Sequence, residues 1–145
     1  MDRIQKAVKL FEENSNCSQA VLAAFVDSAE MDEAAALKVA SGFGGGIGRT
    51  GNTCGALTGA VMVMGLRYGT ADAADKTTKY EVYRKVQRLS EEFKLRIGST
   101  ICRDLLGFDM STPDGQLSTK VPGAFDRCPE FVRIAAEILE EMLEQ

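Results

Sequence analysis

Four cysteines, at positions 17, 54, 102 and 128, and no histidine set the chemistry open to this chain. Without imidazole there is no Ser-His-Asp or Cys-His pair and no His metal ligand. A general base must be a carboxylate, a lysine, a tyrosine or a thiolate, and a soft-metal site must rest on sulfur. No two cysteines form a CxxC pair, which excludes a zinc ribbon and a thioredoxin-type motif. They share a kind of placement instead. Each lies near a predicted helix start, just after a capping residue type: Asn16 before Cys17, Thr53 before Cys54, Thr100 two before Cys102, and Asp126 two before Cys128. Unsatisfied N–H groups and the helix dipole favour negative charge there, so a thiol at that position has its pKa lowered. Arg49, Arg103 and Arg127 add positive charge nearby. Thiolates are both nucleophiles and metal ligands, and Cys54 is expected to be the attacking sulfur.

The approach to Cys54 is SGFGGGIGRTGNT, residues 41–53, rich in glycine. Gly46, Gly48 and Gly51 spell GxGxxG, but a dinucleotide fingerprint needs a preceding strand, and here the loop follows a predicted helix. GIGRTGNT misses GxxxxGK[ST] because Asn52 stands where the phosphate-reaching lysine belongs. The loop therefore reads either as a backbone cradle for an anion or for the Cys54 thiolate, with Arg49 adding charge, or as a tight connector without a ligand. Beyond it, Gly55, Ala56, Gly59 and Ala60 make a small-residue face suited to close approach by another backbone. Gly55, Gly59 and Arg49 are the candidates for holding a bound group.

Helical periodicity supplies the elements that position these sulfurs. Ile4, Ala7, Val8 and Phe11 recur at i, i+3, i+4, i+7 over residues 3–13. A largely buried helix is predicted over 17–29, a third from Asp32 to Ser41, and a buried central one over 54–68. The longest spans 72–97, with a stripe of Val82, Val86, Leu89, Phe93 and Ile97. A short helix follows over 101–106 and a last one over 127–143. Residues 107–125, with two of the three prolines, read as a surface loop. No period-2 pattern supports a strand. The expectation is one all-α domain over 1–145, a bundle of about six or seven helices.

Composition narrows the partners. A net charge of −4 without a long basic run disfavours nucleic acid. The longest apolar run, 56–66, is too short for a bilayer, which takes roughly 20 residues. The first residues are charged and amphipathic, without the apolar segment of a secretory signal. No membrane insertion and a cytoplasmic location are expected.

Cys54-Gly55-Ala56-Leu57-Thr58-Gly59 fits CGAxxG, with one cysteine upstream and two downstream in a chain of 145 residues. This order resembles the redox-active four-cysteine family named C_GCAxxG_C_C, over nearly the full chain. The resemblance matches Cys17, Cys54, Cys102 and Cys128 to the family's cysteines and Gly55, Ala56 and Gly59 to its motif. It also implies a functional link to a membrane transporter. Three readings stay open. The first is thiol–disulfide exchange or electron transfer with an unidentified redox partner. The second is a zinc or iron–sulfur centre held by the four cysteines. The third is a non-enzymatic helical adaptor whose cysteines are core residues.

Overall fold

Capping side chains set where the first three helices begin. The computed structural model describes residues 1–143; the last two positions of the domain expected over 1–145 lie outside them. Helix α1 (Arg3–Glu12) starts at Asp2, whose carboxylate accepts from Gln5 N at 2.7 Å while Gln5 Oε1 accepts from Asp2 N at 3.1 Å. Helix α2 (Cys17–Phe25) starts with the same reciprocal box between Asn16 and Gln19, both bonds 2.8 Å. Helix α3 (Glu33–Val39) is capped by Asp32, which accepts from Ala35 N at 2.7 Å. The predicted helix over 17–29 ends early because Asp27 captures Ala29 N and Glu30 N and turns the chain.

After a 3₁₀ turn (Ser41–Phe43) and the glycine loop come α4 (Gly55–Tyr68), α5 (Lys76–Ile97), α6 (Cys102–Leu106), α7 (Pro113–Ser118) and α8 (Cys128–Leu143). The fold is all-α as expected, with eight α-helices among the described residues rather than six or seven. The start of α5 moves from 72 to 76, since Asp75 is the residue whose carboxylate accepts from Thr78 N. The additional helix, α7, corrects the surface loop predicted over 107–125. Thr112 accepts from Gly115 N at 3.0 Å and Pro113 occupies the first turn, so a segment that reads as a Pro-Asp-Gly turn is a helix start. The only β pairing among the described residues is the isolated antiparallel bridge between Thr53 and Ile101.

Helix α2 lies at the centre, with Ala20 to Phe25 all buried and α1, α3, α4 and α8 packed around it. Phe25, Phe93 and Phe131 are the largest fully buried side chains, contributed by α2, α5 and α8. Each stabilises the fold by roughly 1.5–3 kcal/mol. Helix α4 is buried along the face that carries Gly55, Ala56, Gly59, Ala60 and Val63, and α2 is the backbone that approaches it. A Cβ on Gly59 would lie 2.7 Å from Ser18 O and 3.0 Å from Val21 Cβ, and one on Gly55 would lie 3.1 Å from Cys17 Cβ. Gly59→Ala is therefore expected to destabilise the protein by about 2 kcal/mol, despite the better helix propensity of alanine. Chemical denaturation checks this; a variant as stable as the parent would mean the two helices separate freely. No helix among the described residues is long and apolar enough to cross a membrane.

Candidate functional site

Tight contact between α2 and α4 brings Cys17, the first residue of α2, beside Cys54, the N-cap of α4. The same junction buries Ser18, whose hydroxyl accepts from Thr58 Oγ1 at 3.2 Å. Asn16 Nδ2 donates to Ser41 O at 3.2 Å, and Gln19 Nε2 to Leu37 O at 2.9 Å. These bonds fasten the start of α2 to the mouth of the glycine loop.

The loop itself winds left-handed. Gly45, Gly46, Ile47, Gly48 and Arg49 have φ between 60° and 72° in succession. Bonds from Gly48 N to Gly42 O (2.8 Å), Arg49 N to Gly44 O (2.9 Å) and Asn52 N to Gly46 O (2.9 Å) close it. Gly46 cannot be replaced without displacement, because a Cβ there would lie 2.6 Å from Asn52 N and 2.7 Å from Cys102 Cβ. Ile47 and Arg49 hold a conformation that costs a side-chain-bearing residue about 1–2 kcal/mol. The loop thus acts as a spacer that turns back on itself and lets Cys102 sit against its backbone.

The exit of the loop positions the next two sulfurs. At the Thr53–Ile101 bridge, Cys54 N donates to Thr100 O at 2.8 Å and Cys102 N to Asn52 O at 2.6 Å. Cys54 and Cys102 therefore project to the same side, diagonally across the bridge, at a Cα separation of about 7–8 Å. That is beyond the ~5.5–6 Å most disulfides span. Cys128 opens α8, its N–H donating to Phe125 O at 3.0 Å. All four cysteines thus stand at helix starts, three as the first helical residue and Cys54 as a cap.

The four starts converge on a cavity of about 420 Å³ that all four cysteines line, together with Arg49, Gly55, Met110 and Phe125. All four are free thiols. Cys54, Cys102 and Cys128 are 4, 8 and 7% exposed. The thiols differ in how strongly they hold their protons. The interaction between the Cys17 and Cys128 thiols, then burial, then the charge of the other three thiolates, raises Cys17 well above the ordinary thiol range. The same interaction, seconded by Arg127 and opposed by burial, lowers Cys128.

Burial pushes Cys54 up to about 12, although Ala56 and Leu57 N–H groups pull the other way. Those N–H groups form no capping hydrogen bond with the sulfur. Cys102 is pushed up to about 11 by burial and the negative neighbours Cys128 and Asp109. The acidity expected of every helix-start cysteine is thus found at Cys128 alone, because desolvation exceeds the dipole at Cys54 and Cys102. Of the three arginines expected to assist, Arg127 lowers Cys128, whereas Arg103 reaches Gly51 O at 3.3 Å.

A family model described as "Putative redox-active protein (C_GCAxxG_C_C)" matches residues 15–142. The chain belongs to this family. The span matched to the C_GCAxxG_C_C family holds every cavity-lining cysteine. No curated protein and no solved structure matches the chain.

Within this C_GCAxxG_C_C protein, the cavity brings together Cys17, Cys54, Cys102, Cys128, Gly55 and Arg49 from the residues singled out by sequence; Gly59 is not among its lining residues and packs on α2 instead. The zinc and iron–sulfur alternatives find no formed donor set: among the described residues no group of three or more Cys, Asp and Glu side chains is arranged to hold a metal ion. Met110 and Phe125 escaped the sequence reading, lying in a segment whose prolines and glycines masked its contribution to the wall.

Proposed function

We propose that Cys17 and Cys128 form a two-electron dithiol–disulfide couple, so that the protein acts by thiol–disulfide exchange. The observation that carries this reading is the convergence of four free thiols, each at a helix start, on one cavity, in which Cys17 and Cys128 are the pair whose proton affinities are linked most strongly. The Cys128 thiolate attacks one sulfur of a substrate disulfide, forming a mixed disulfide and releasing one thiolate, which takes up a proton. Cys17 then loses its proton and attacks the Cys128 sulfur. The second thiolate leaves, and the Cys17–Cys128 bond forms. Two electrons pass from the protein to the substrate, and the reverse sequence reduces the protein again. The attacking role expected for Cys54 falls in this reading to Cys128, while Cys54 and Cys102 stay protonated and line the chamber.

Equilibration in thiol–disulfide buffers of graded potential, followed by alkylation and peptide mapping, tests the couple. A single two-electron transition yielding the Cys17–Cys128 crosslink is expected. Four thiols that remain alkylatable under oxidising buffer, or a crosslink confined to Cys54 and Cys102, would sink it.

A further inference from the structure

The substrate of this couple can be read from the charge around its entrance. The sulfur cavity adjoins a second, outer cavity of about 800 Å³, and the two share Gly48, Arg49 and Met110 as lining. The outer cavity adds Lys120 and the polar side chains of Thr50, Ser111 and Gln116. Neither cavity is lined by any Asp or Glu, in a chain whose net charge is −4. Among the described residues, Arg49 and Lys120 form no ion pair. Asp109, beside Met110 in sequence, is engaged by Ser111 N and Oγ at 2.9 and 2.6 Å. Arg49 is held at φ 61°, a conformation where glycine would be at ease, so the arginine carries a local backbone cost.

Size follows from burial. Exchange needs the attacking sulfur in line with the substrate S–S bond, and Cys54, Cys102 and Cys128 are each less than a tenth exposed. A disulfide fixed on the surface of a folded protein does not reach into such a chamber; a small molecule of flexible shape does.

We propose that the two cavities together take a low-molecular-weight disulfide bearing carboxylates, its sulfurs entering the four-cysteine chamber and a carboxylate resting between Arg49 and Lys120. This rests on the Cys17–Cys128 couple, and the electrons and protons balance as in that exchange: the two thiols become a disulfide and the substrate disulfide becomes two thiols. Long-range charge works against the preference, because a protein of net charge −4 attracts cations. Selection for an anion must therefore come from the local cations.

Three disulfides of similar size separate these terms: 3,3′-dithiodipropionate, bis(2-hydroxyethyl) disulfide and cystamine, which are anionic, neutral and cationic. Each rate of oxidation of the reduced protein is divided by that disulfide's rate with 2-mercaptoethanol. The wild type is expected to favour dithiodipropionate over cystamine by about fivefold or more, the size of two exposed ion pairs gained and two repulsions avoided. Arg49→Gly should abolish most of that preference while melting at the same temperature or higher, and Arg49→Lys should restore it. Equal normalised rates in the wild type, or a preference unchanged in Arg49→Gly, would overturn the inference and leave the thiol couple standing. Failure of all three disulfides to oxidise Cys17 and Cys128 would overturn the couple itself.

Discussion

Cys128→Ser is expected to slow oxidation of the protein by a small disulfide at least ~10-fold at pH 7, and to leave Cys17 without a bonded partner. Exchange runs through the thiolate. At pH 7 a thiol at about 11, the position of Cys102, is ionised at roughly one part in 10⁴, and one at about 12, the position of Cys54, at roughly one part in 10⁵. A thiol at the ordinary value of 9.0 is ionised at roughly one part in 10², and Cys128 is lowered from there by its interaction with Cys17, so its thiolate fraction lies above that level. More basic thiolates are intrinsically better nucleophiles, which returns about a factor of 10. The net advantage of Cys128 is still at least ~10-fold over Cys102 and larger over Cys54.

Cys17, half-buried, loses the Cys128 interaction in the variant but is still raised by desolvation and by the charge of Cys54 and Cys102. The pH profile carries the same signature. The wild-type rate should climb with pH and level off once Cys128 is ionised, below the ordinary thiol range, whereas the residual rate of Cys128→Ser should still be climbing past pH 10. Stopped-flow thiol loss reads both. A variant with the wild-type rate and plateau would return the attacking role to another sulfur, and loss of reactivity in Cys54→Ser alone would return it to Cys54.

Alkaline stability is the second large effect. Cys54 is raised to about 12 in the folded protein, and its ordinary value is 9.0. A raised folded-state pKa means that the native state binds the proton more tightly. The stabilisation is therefore fully present below the unfolded pKa and is lost as pH rises through 9 toward 12. At about 1.4 kcal/mol per pKa unit, the complete loss is on the order of 4 kcal/mol, of which about 1 kcal/mol is gone by pH 10.

Cys54→Ala removes this contribution. Denaturation of both proteins under a phosphine reductant at pH 8, 9, 10 and 10.5 isolates it, because lysine and tyrosine titrations are common to the two chains. The wild type should lose stability more steeply above pH 9, and the difference between the curves should narrow by about 1 kcal/mol between pH 8 and 10. Parallel curves would show that Cys54 is solvated in the native state. Cys102, also raised, acts in the same direction.

Local patterns made much of this legible in advance. Asn16 and Asp32 announce helix starts because a capping side chain needs only the N–H groups two or three residues on. The stripes through α1, α5 and α8 follow from 3.6-residue periodicity facing one core. The glycines of α4 announced a close helix neighbour, since only a missing Cβ lets Ser18 O lie against Gly59. Helix α7 was hidden because Thr112, Pro113, Asp114 and Gly115 suit a turn as well as a first helical turn, and six residues carry no periodicity.

The amino-acid sequence by itself determined an all-helical chain without histidine, the placing of four thiols at four helix starts, and membership of the C_GCAxxG_C_C family. Those properties depend on residue type and on neighbours within a few positions. Which thiol is acidic, and which sulfur meets which, was decided only by the tertiary structure. A helix start lowers a thiol's pKa wherever it lies, but burial raises it, and burial depends on elements distant in the chain. Cys54 and Cys102 are desolvated beside a bridge whose halves are nearly 50 residues apart, and they are pushed up. Cys128 has the same local preparation, but α8 brings it into the same chamber as Cys17, and the interaction of those two thiols reverses the sign.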